Sequence, residues 1–133
     1  MTPGDAPSLL RVLIVEDNID AADIMGELLK RRGHEIQIAH DGQTGLSTAR
    51  TFRPHVILLD IGLPDTDGYT VAHRLREEQL GGELLIALTG YGEAEDRERA
   101  QKAGFDRHLT KPVDPDALIA LFDAARPTPP GAA

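Results

Sequence analysis

Cysteine is absent from the 133 residues, which excludes disulfides and thiolate-bound metals and fits a reducing cytoplasm. A surplus of positive charge is absent too. The chain has 22 acidic and 14 basic side chains and a formal net charge of −8. That argues against direct nucleic-acid binding, because gripping a phosphate backbone needs an excess of Lys and Arg. No apolar run approaches the roughly 18 residues of a membrane span. The opening MTPGDAPS lacks the basic and apolar regions of a signal peptide. What is present is ordinary for a globular domain, with 41% hydrophobic and 27% charged residues. The length suits a single domain with a real core.

Apolar runs alternate with helical patterns. Residues 9–15 (LLRVLIV) are nearly all apolar and read as a strand buried on both faces. Asn18 then caps a helix with Ala21, Ile24, Met25, Leu28 and Leu29 on its inner face, stopped at Gly33. Residues 35–39 alternate and read as a short edge strand. Asp41-Gly42 opens a second helix carrying Leu46, Ala49 and Phe52, which ends at Pro54. VILLD, residues 56–60, is a third buried strand. Asp67 caps a third helix with Val71, Ala72 and Leu75 inward, finished by Gly81-Gly82.

Residues 84–88 form a fourth strand. The fourth helix, 93–103, has a thin apolar face of Ala94, Ala100 and Ala103 and acid-first pairs four apart (Glu93/Arg97, Glu95/Arg99, Glu98/Lys102). Such pairs contribute only about 0.2–0.5 kcal/mol each, so this helix should be the least firmly docked. Residues 105–109 form a fifth strand. Asp114-Pro115 starts a last helix burying Leu118, Leu121, Phe122 and Ala125. The expected organisation is a flexible leader at 1–8, one domain at 9–126 and a disordered Pro-rich tail at 127–133, with no effector domain following. Five strands alternating with five helices through short connections make a doubly wound parallel α/β sheet.

Parallel strands deliver their C-terminal residues to one edge, where ligands bind. Those residues are Glu16-Asp17, Asp60, Thr89-Gly90 and Thr110-Lys111-Pro112. Three carboxylates, a hydroxyl and an ammonium should therefore converge although they are distant in sequence. Crowded carboxylates repel one another, and an all-oxygen donor set relieves this best with a hard cation such as Mg²⁺. With a metal and Lys111 neutralising the pocket, Asp60 can act as a nucleophile toward a phosphoryl group. Gly62 and Gly90 let backbone approach closely.

In order, VLIVEDN, DGQTGL, VILLDIGLPDTDGY, LIALTG and AGFDRHLTKP resemble the receiver domain of two-component response regulators over residues 9–125. The resemblance implies a flavodoxin-like fold with strand order 2-1-3-4-5 and a histidine kinase or phosphotransfer protein as phosphodonor. It implies Asp60 as phosphoacceptor, and Mg²⁺ held by Asp17 directly, by Glu16, by Asp60 and by the Gly62 carbonyl. Thr89 would be the switch hydroxyl, Lys111 the partner of the phosphate, and Ile61 and Gly90 its lining. It also implies a cis Lys111-Pro112 bond and an output face for a protein effector made of helix four, strand five and helix five. The chain would then be a monomer or weak dimer and no enzyme beyond its own phosphotransfer and slow autodephosphorylation. It would be either a stand-alone regulator or the receiver part of a hybrid kinase.

Two departures from the family pattern concern His108 and the pair Gly62 and Tyr91. His108 stands where an aromatic ring often moves with the switch threonine. It either packs as that ring does or biases the switch by its charge between pH 5 and 8. Gly62 offers no side chain to orient a hydrolytic water and Tyr91 could shield it, so a comparatively long-lived phosphate is expected. The acids Asp20, Asp23, Asp65 and Asp67 read as helix-start or turn residues, and His34, His40, His55 and His73 as surface residues. Two other functions fit less well. A haloacid-dehalogenase-type phosphatase needs a second Asp where Gly62 stands. A degenerate receiver acting as an unphosphorylated binding module would not need the intact five-residue set.

Overall fold

The computed structural model describes residues 10–82, 84–90 and 97–125. Its order is β1 (Arg11–Val15), α1 (Ile19–Arg31), β2 (Glu35–Ala39), α2 (Gly42–Phe52), β3 (Val56–Asp60), α3 (Gly68–Glu77), β4 (Leu84–Thr89), α4 (Arg97–Ala103), β5 (Arg107–Thr110) and α5 (Pro115–Ala125). All pairings are parallel and the strands lie in the order β2-β1-β3-β4-β5. The expected leader and tail, the start of the fourth helix and Tyr91 lie outside the described residues. None of the described helices is long and apolar enough to cross a membrane.

Side chains alternate across the sheet with the strand period of two. Leu13, Val15, Ile57, Leu59, Leu85 and Ala87 face one layer with Ala49 and Phe52 of α2 and Val71 and Leu75 of α3. Val12, Ile14, Leu58, Ile86 and Leu88 face the other with Met25 and Leu29 of α1 and Leu118 and Phe122 of α5. Both faces of β1, β3 and β4 are covered, which is why their sequences read as unbroken apolar runs. Asn18, Asp41 and Asp67 cap α1, α2 and α3, accepting from Ala21, Thr44 and Thr70 N–H.

Two expectations fail here. Ile24 does not face inward; it is 66% exposed. The inner stripe of α1 is Ala22, Met25, Gly26 and Leu29. Gly26 sets that rotation: a Cβ there would already lie 3.2 Å from Ile38 Cδ1, so the helix seats this side on β2. His34 is not a surface residue either. It is buried, and its ring lies 5.3 Å from that of Phe122, tilted by 50°, joining the α1–β2 turn to α5.

Of the three expected i,i+4 pairs on the fourth helix, Glu93/Arg97 and Glu95/Arg99 involve residues outside the described ones, and Glu98 and Lys102 form no ion pair among the described residues. Ala100 is buried, and the Arg99 guanidinium lies 4.1 Å from the Tyr69 ring centroid. Arg76 of α3 donates to the Gly104 carbonyl at the C-terminal end of α4 (3.0 and 2.7 Å) and to Asp106 (2.9 Å).

The end of β3 is seated against α3 with no spare room. A Cβ on Gly68 would fall 2.5 Å from Ile61 Cα and 2.6 Å from the Asp60 carbonyl oxygen, both backbone atoms. Gly68→Ala is therefore expected to destabilise the domain by about 3 kcal/mol, the upper part of the overpacking range. A urea midpoint unchanged from wild type would show that the contact can relax.

Candidate functional site

The parallel sheet places the last residues of β1, β3, β4 and β5 on one edge. Glu16 follows β1, Asp60 ends β3, Thr89 ends β4 and Lys111 follows β5. Glu16 stays in the sheet through its N–H to the Ala39 carbonyl (3.0 Å), and Lys111 through its N–H to the Thr89 carbonyl (2.7 Å). The Lys111-Pro112 bond is cis, as the sequence resemblance implied.

These strand ends bring three of the expected groups into contact. Lys111 Nζ lies 3.0 Å from Asp60 Oδ2 and 2.7 Å from Glu16 Oε1. Glu16, Asp17 and Asp60 each present an oxygen such that all three oxygens lie within 4.8 Å of one another. Glu16 is wholly buried and Asp60 nearly so, while Asp17 is exposed. Glu16 Oε2 accepts the Asn18 N–H (3.1 Å), and Asp60 Oδ1 accepts the Gly62 N–H (2.9 Å). Glu16 Oε1 takes the Lys111 ammonium as its partner at 2.7 Å.

The other expected residues sit around this cluster. The buried Thr89 hydroxyl donates to the Leu109 carbonyl at 3.4 Å, a long bond across to β5. Ile61 is buried with its N–H on the Leu88 carbonyl (3.2 Å). Gly90 and His108 are half-buried, His108 standing opposite Ala87 in the register. Two residues read as peripheral in the sequence touch the site's supports. His40 Nδ1 lies 2.9 Å from the Glu16 carbonyl oxygen, and Asp65 reaches the start of α2. No local pattern announces either contact, because each joins segments more than twenty residues apart.

The two buried acids are pushed in opposite directions. Burial drives the Glu16 carboxyl up to about 7, and neighbouring Asp60 adds to the rise against the opposing pull of Lys111 and the Asn18 N–H. Burial also acts to raise Asp60, yet the Gly62 N–H, Glu16 and Lys111 together hold it below the usual carboxylate range. Burial opposes the Lys111 charge, but Glu16 and Asp60 keep its pKa above the ordinary lysine value. Near neutrality Asp60 is thus the ionised carboxylate and Glu16 the one that carries a proton part of the time.

Three converging carboxylates, all oxygen donors and two of them buried with a single ammonium between them, fit a hard divalent cation. With the Glu16 pKa raised from an ordinary 4.5 to about 7, the metal-free folded state holds a proton that the unfolded state releases. Stability from this group is full below the unfolded value and lost as pH rises through the folded one, on the order of 2–3 kcal/mol. Thermal unfolding without metal should therefore weaken between pH 5.5 and 8. Mg²⁺ should raise the midpoint more at pH 8, where no proton competes. An equal Mg²⁺ effect at both pH values would contradict this.

The family model for the response regulator receiver domain matches residues 12–123. The chain belongs to that family. Among curated relatives the receiver is 37% identical over 111 residues to an uncharacterized 14.6 kDa protein in the sodA1 3′ region of Leptolyngbya boryana, covering 83% of this chain and 85% of that protein. It is 34% identical over 115 residues to the DNA-binding dual master transcriptional regulator RpaA of Synechocystis, covering 86% of this chain but only 48% of RpaA. The chain thus spans about half the length of that regulator.

Among solved structures, the receiver superposes on a CheY-like response regulator receiver domain protein from Methanospirillum hungatei with TM-score 0.81 and 31% identity, covering 88% and 93% of the two chains. The receiver domain of sensor histidine kinase PA1611 of Pseudomonas aeruginosa, with a magnesium ion in its active site cleft, superposes with TM-score 0.78 and 29% identity, covering 88% and 97%. The receiver domain of Ssk1 from Saccharomyces cerevisiae, crystallised with the phosphotransfer protein Ypd1, gives TM-score 0.80 and 29% identity, covering 89% of each chain.

Proposed function

We propose that this receiver is a phosphorylation switch in which Asp60 accepts a phosphoryl group from a phosphohistidine donor. The observation that carries the reading is the juxtaposition of an ionised, buried Asp60 with Lys111 at 3.0 Å and with the acid pair Glu16-Asp17. Asp60 oxygen attacks phosphorus, an O–P bond forms and the donor's N–P bond breaks, its electron pair leaving with the imidazole. The Lys111 ammonium faces the charge that gathers on the phosphoryl oxygens. Mg²⁺, the ion held by the similar PA1611 receiver, would be held here by Glu16, Asp17, Asp60 and the Gly62 carbonyl and would neutralise oxygen charge. The Ypd1–Ssk1 complex supports a kinase or phosphotransfer protein as donor.

The new charge gives the Thr89 hydroxyl a reason to leave the Leu109 carbonyl, its present long bond. That movement links the site to β5, and through β5 to the α4–β5–α5 face proposed to bind a protein effector. A Cβ at position 62 would stand 3.7 Å from Asp60 Oδ1. Glycine therefore leaves the space beside the acceptor bare, which supports slow hydrolysis of the aspartyl phosphate.

Incubation with a small acyl phosphate and Mg²⁺, followed by intact mass, tests the reading. A single stable, acid-labile adduct on Asp60 is expected. Donor turnover without an adduct would indicate a hydrolase. Neither adduct nor turnover would leave an unphosphorylated interaction module.

A further inference from the structure

The loop after β3, residues 61–67, carries Gly62 at the edge of the acid pocket, and its apex is held from outside the site. Asp65 uses both carboxylate oxygens: Oδ1 accepts the Gly42 N–H at 2.8 Å and Oδ2 the Gln43 N–H at 3.0 Å. These are the first two residues of α2, 22 and 23 positions away in the chain. The same helix end already has a local cap, Asp41, accepting the Thr44 N–H at 2.7 Å. Asp41 takes only the Thr44 N–H, and the Gly42 and Gln43 N–H groups, which have no intrahelical acceptor, are taken by an acid from a distant loop.

Packing is tight at this junction. A Cβ on Gly42 would meet Thr66 Cγ2 at 2.5 Å and Val71 Cγ2 at 2.9 Å, so only glycine lets the helix end come this close to the loop. The loop is otherwise tied at its two ends, by the Ile61 N–H to Leu88 and the Gly68 N–H to Ile61. Between those ties stands Gly62, whose N–H orients Asp60 Oδ1. The turn before α2 also reaches the opposite half of the pocket, since Ala39 accepts the Glu16 N–H and His40 Nδ1 lies 2.9 Å from the Glu16 carbonyl oxygen.

We infer that Asp65 is a positioning residue that braces the Asp60–Gly62 side of the pocket against α2, setting the spacing between its two acidic halves. Asp65 is solvent-exposed, so its removal opens no cavity. Its carboxyl lies below the ordinary aspartate range, chiefly through the Gly42 N–H, so it stays ionised across the neutral region. The inference rests on the reading that this pocket holds a divalent cation for phosphotransfer.

The test compares Asp65→Ala, Asp65→Asn and Asp41→Ala by Mg²⁺ titration of acyl-phosphate labelling and by thermal unfolding without metal. Asp65→Ala should raise the Mg²⁺ concentration for half-maximal labelling about tenfold, the lower end for loss of an outer-shell partner. Its limiting rate should stay within about twofold, a KM-like effect without a kcat-like one. Asp65→Asn keeps one acceptor and should fall between. Asp41→Ala removes a cap of the same helix, so it should lower the unfolding midpoint while leaving the Mg²⁺ requirement unchanged. Equal Mg²⁺ shifts for Asp65→Ala and Asp41→Ala, or no shift for Asp65→Ala, would overturn the inference. Absence of any Mg²⁺-dependent labelling in the wild type would instead sink the functional reading on which it rests.

Discussion

Asp60→Asn is expected to abolish labelling by an acyl phosphate while leaving the fold at least as stable as wild type. The amide has the shape of the carboxylate and keeps an oxygen for the Gly62 N–H, a 2.9 Å bond. It has no negative charge and is no nucleophile toward phosphorus. Stability moves the other way because the pocket holds two buried acids and one ammonium. Removing one acid lets Glu16 release its proton and pair with Lys111 without a rival. The gain should be about 1 kcal/mol in metal-free protein, since relief of carboxylate repulsion is partly offset by a weaker Lys111 contact. The Glu16 pKa should drop from about 7, and the loss of stability between pH 5.5 and 8 should flatten. An adduct on the variant would place the acceptor elsewhere. A marked loss of stability in urea would show that Asp60 holds the fold together.

Lys111→Met should carry the second large effect, on stability and chemistry together. Methionine fills the space of the stem but leaves Glu16 and Asp60 facing each other without a cation. Breaking a fully buried pair costs about 3–5 kcal/mol. The Lys111 side chain is 30% exposed and Glu16 can take up a proton, so about 2 kcal/mol is the expected loss at pH 7. Without the ammonium both acid pKa values rise, the folded state binds more protons, and the penalty grows as pH increases from 6 to 8. Mg²⁺ should return part of the stability by supplying positive charge. It should not return the chemistry: labelling should stay down by about 10²-fold, the usual cost of losing one group that stabilises developing oxygen charge. Labelling at the wild-type rate would remove Lys111 from the site.

The sheet was legible because its code is local. The unbroken apolar runs of β1, β3 and β4 and the caps Asn18, Asp41 and Asp67 each act within a few residues, and the structure has them where the sequence puts them. Strand ends follow from the runs, so the meeting of Glu16, Asp17, Asp60 and Lys111 could be read once the strands were taken as parallel. The rotation of α1 could not be read this way. Ile24 fits a helical apolar stripe as well as Met25 does, and the close seating of Gly26 against Ile38 decides between them. His34 likewise looks like a polar turn residue until Phe122, far along the chain, covers it.

The sequence by itself determined the layered α/β architecture, the edge at which the acids gather and the residue types gathered there. Only the tertiary structure decided which buried acid stays charged, that the Thr89 hydroxyl rests on Leu109, and that Asp65 reaches across to α2. Periodicity and capping are properties of neighbours in sequence. Burial, pKa and long-range hydrogen bonds are properties of neighbours in space, and these exist only after the sheet has brought the segments together.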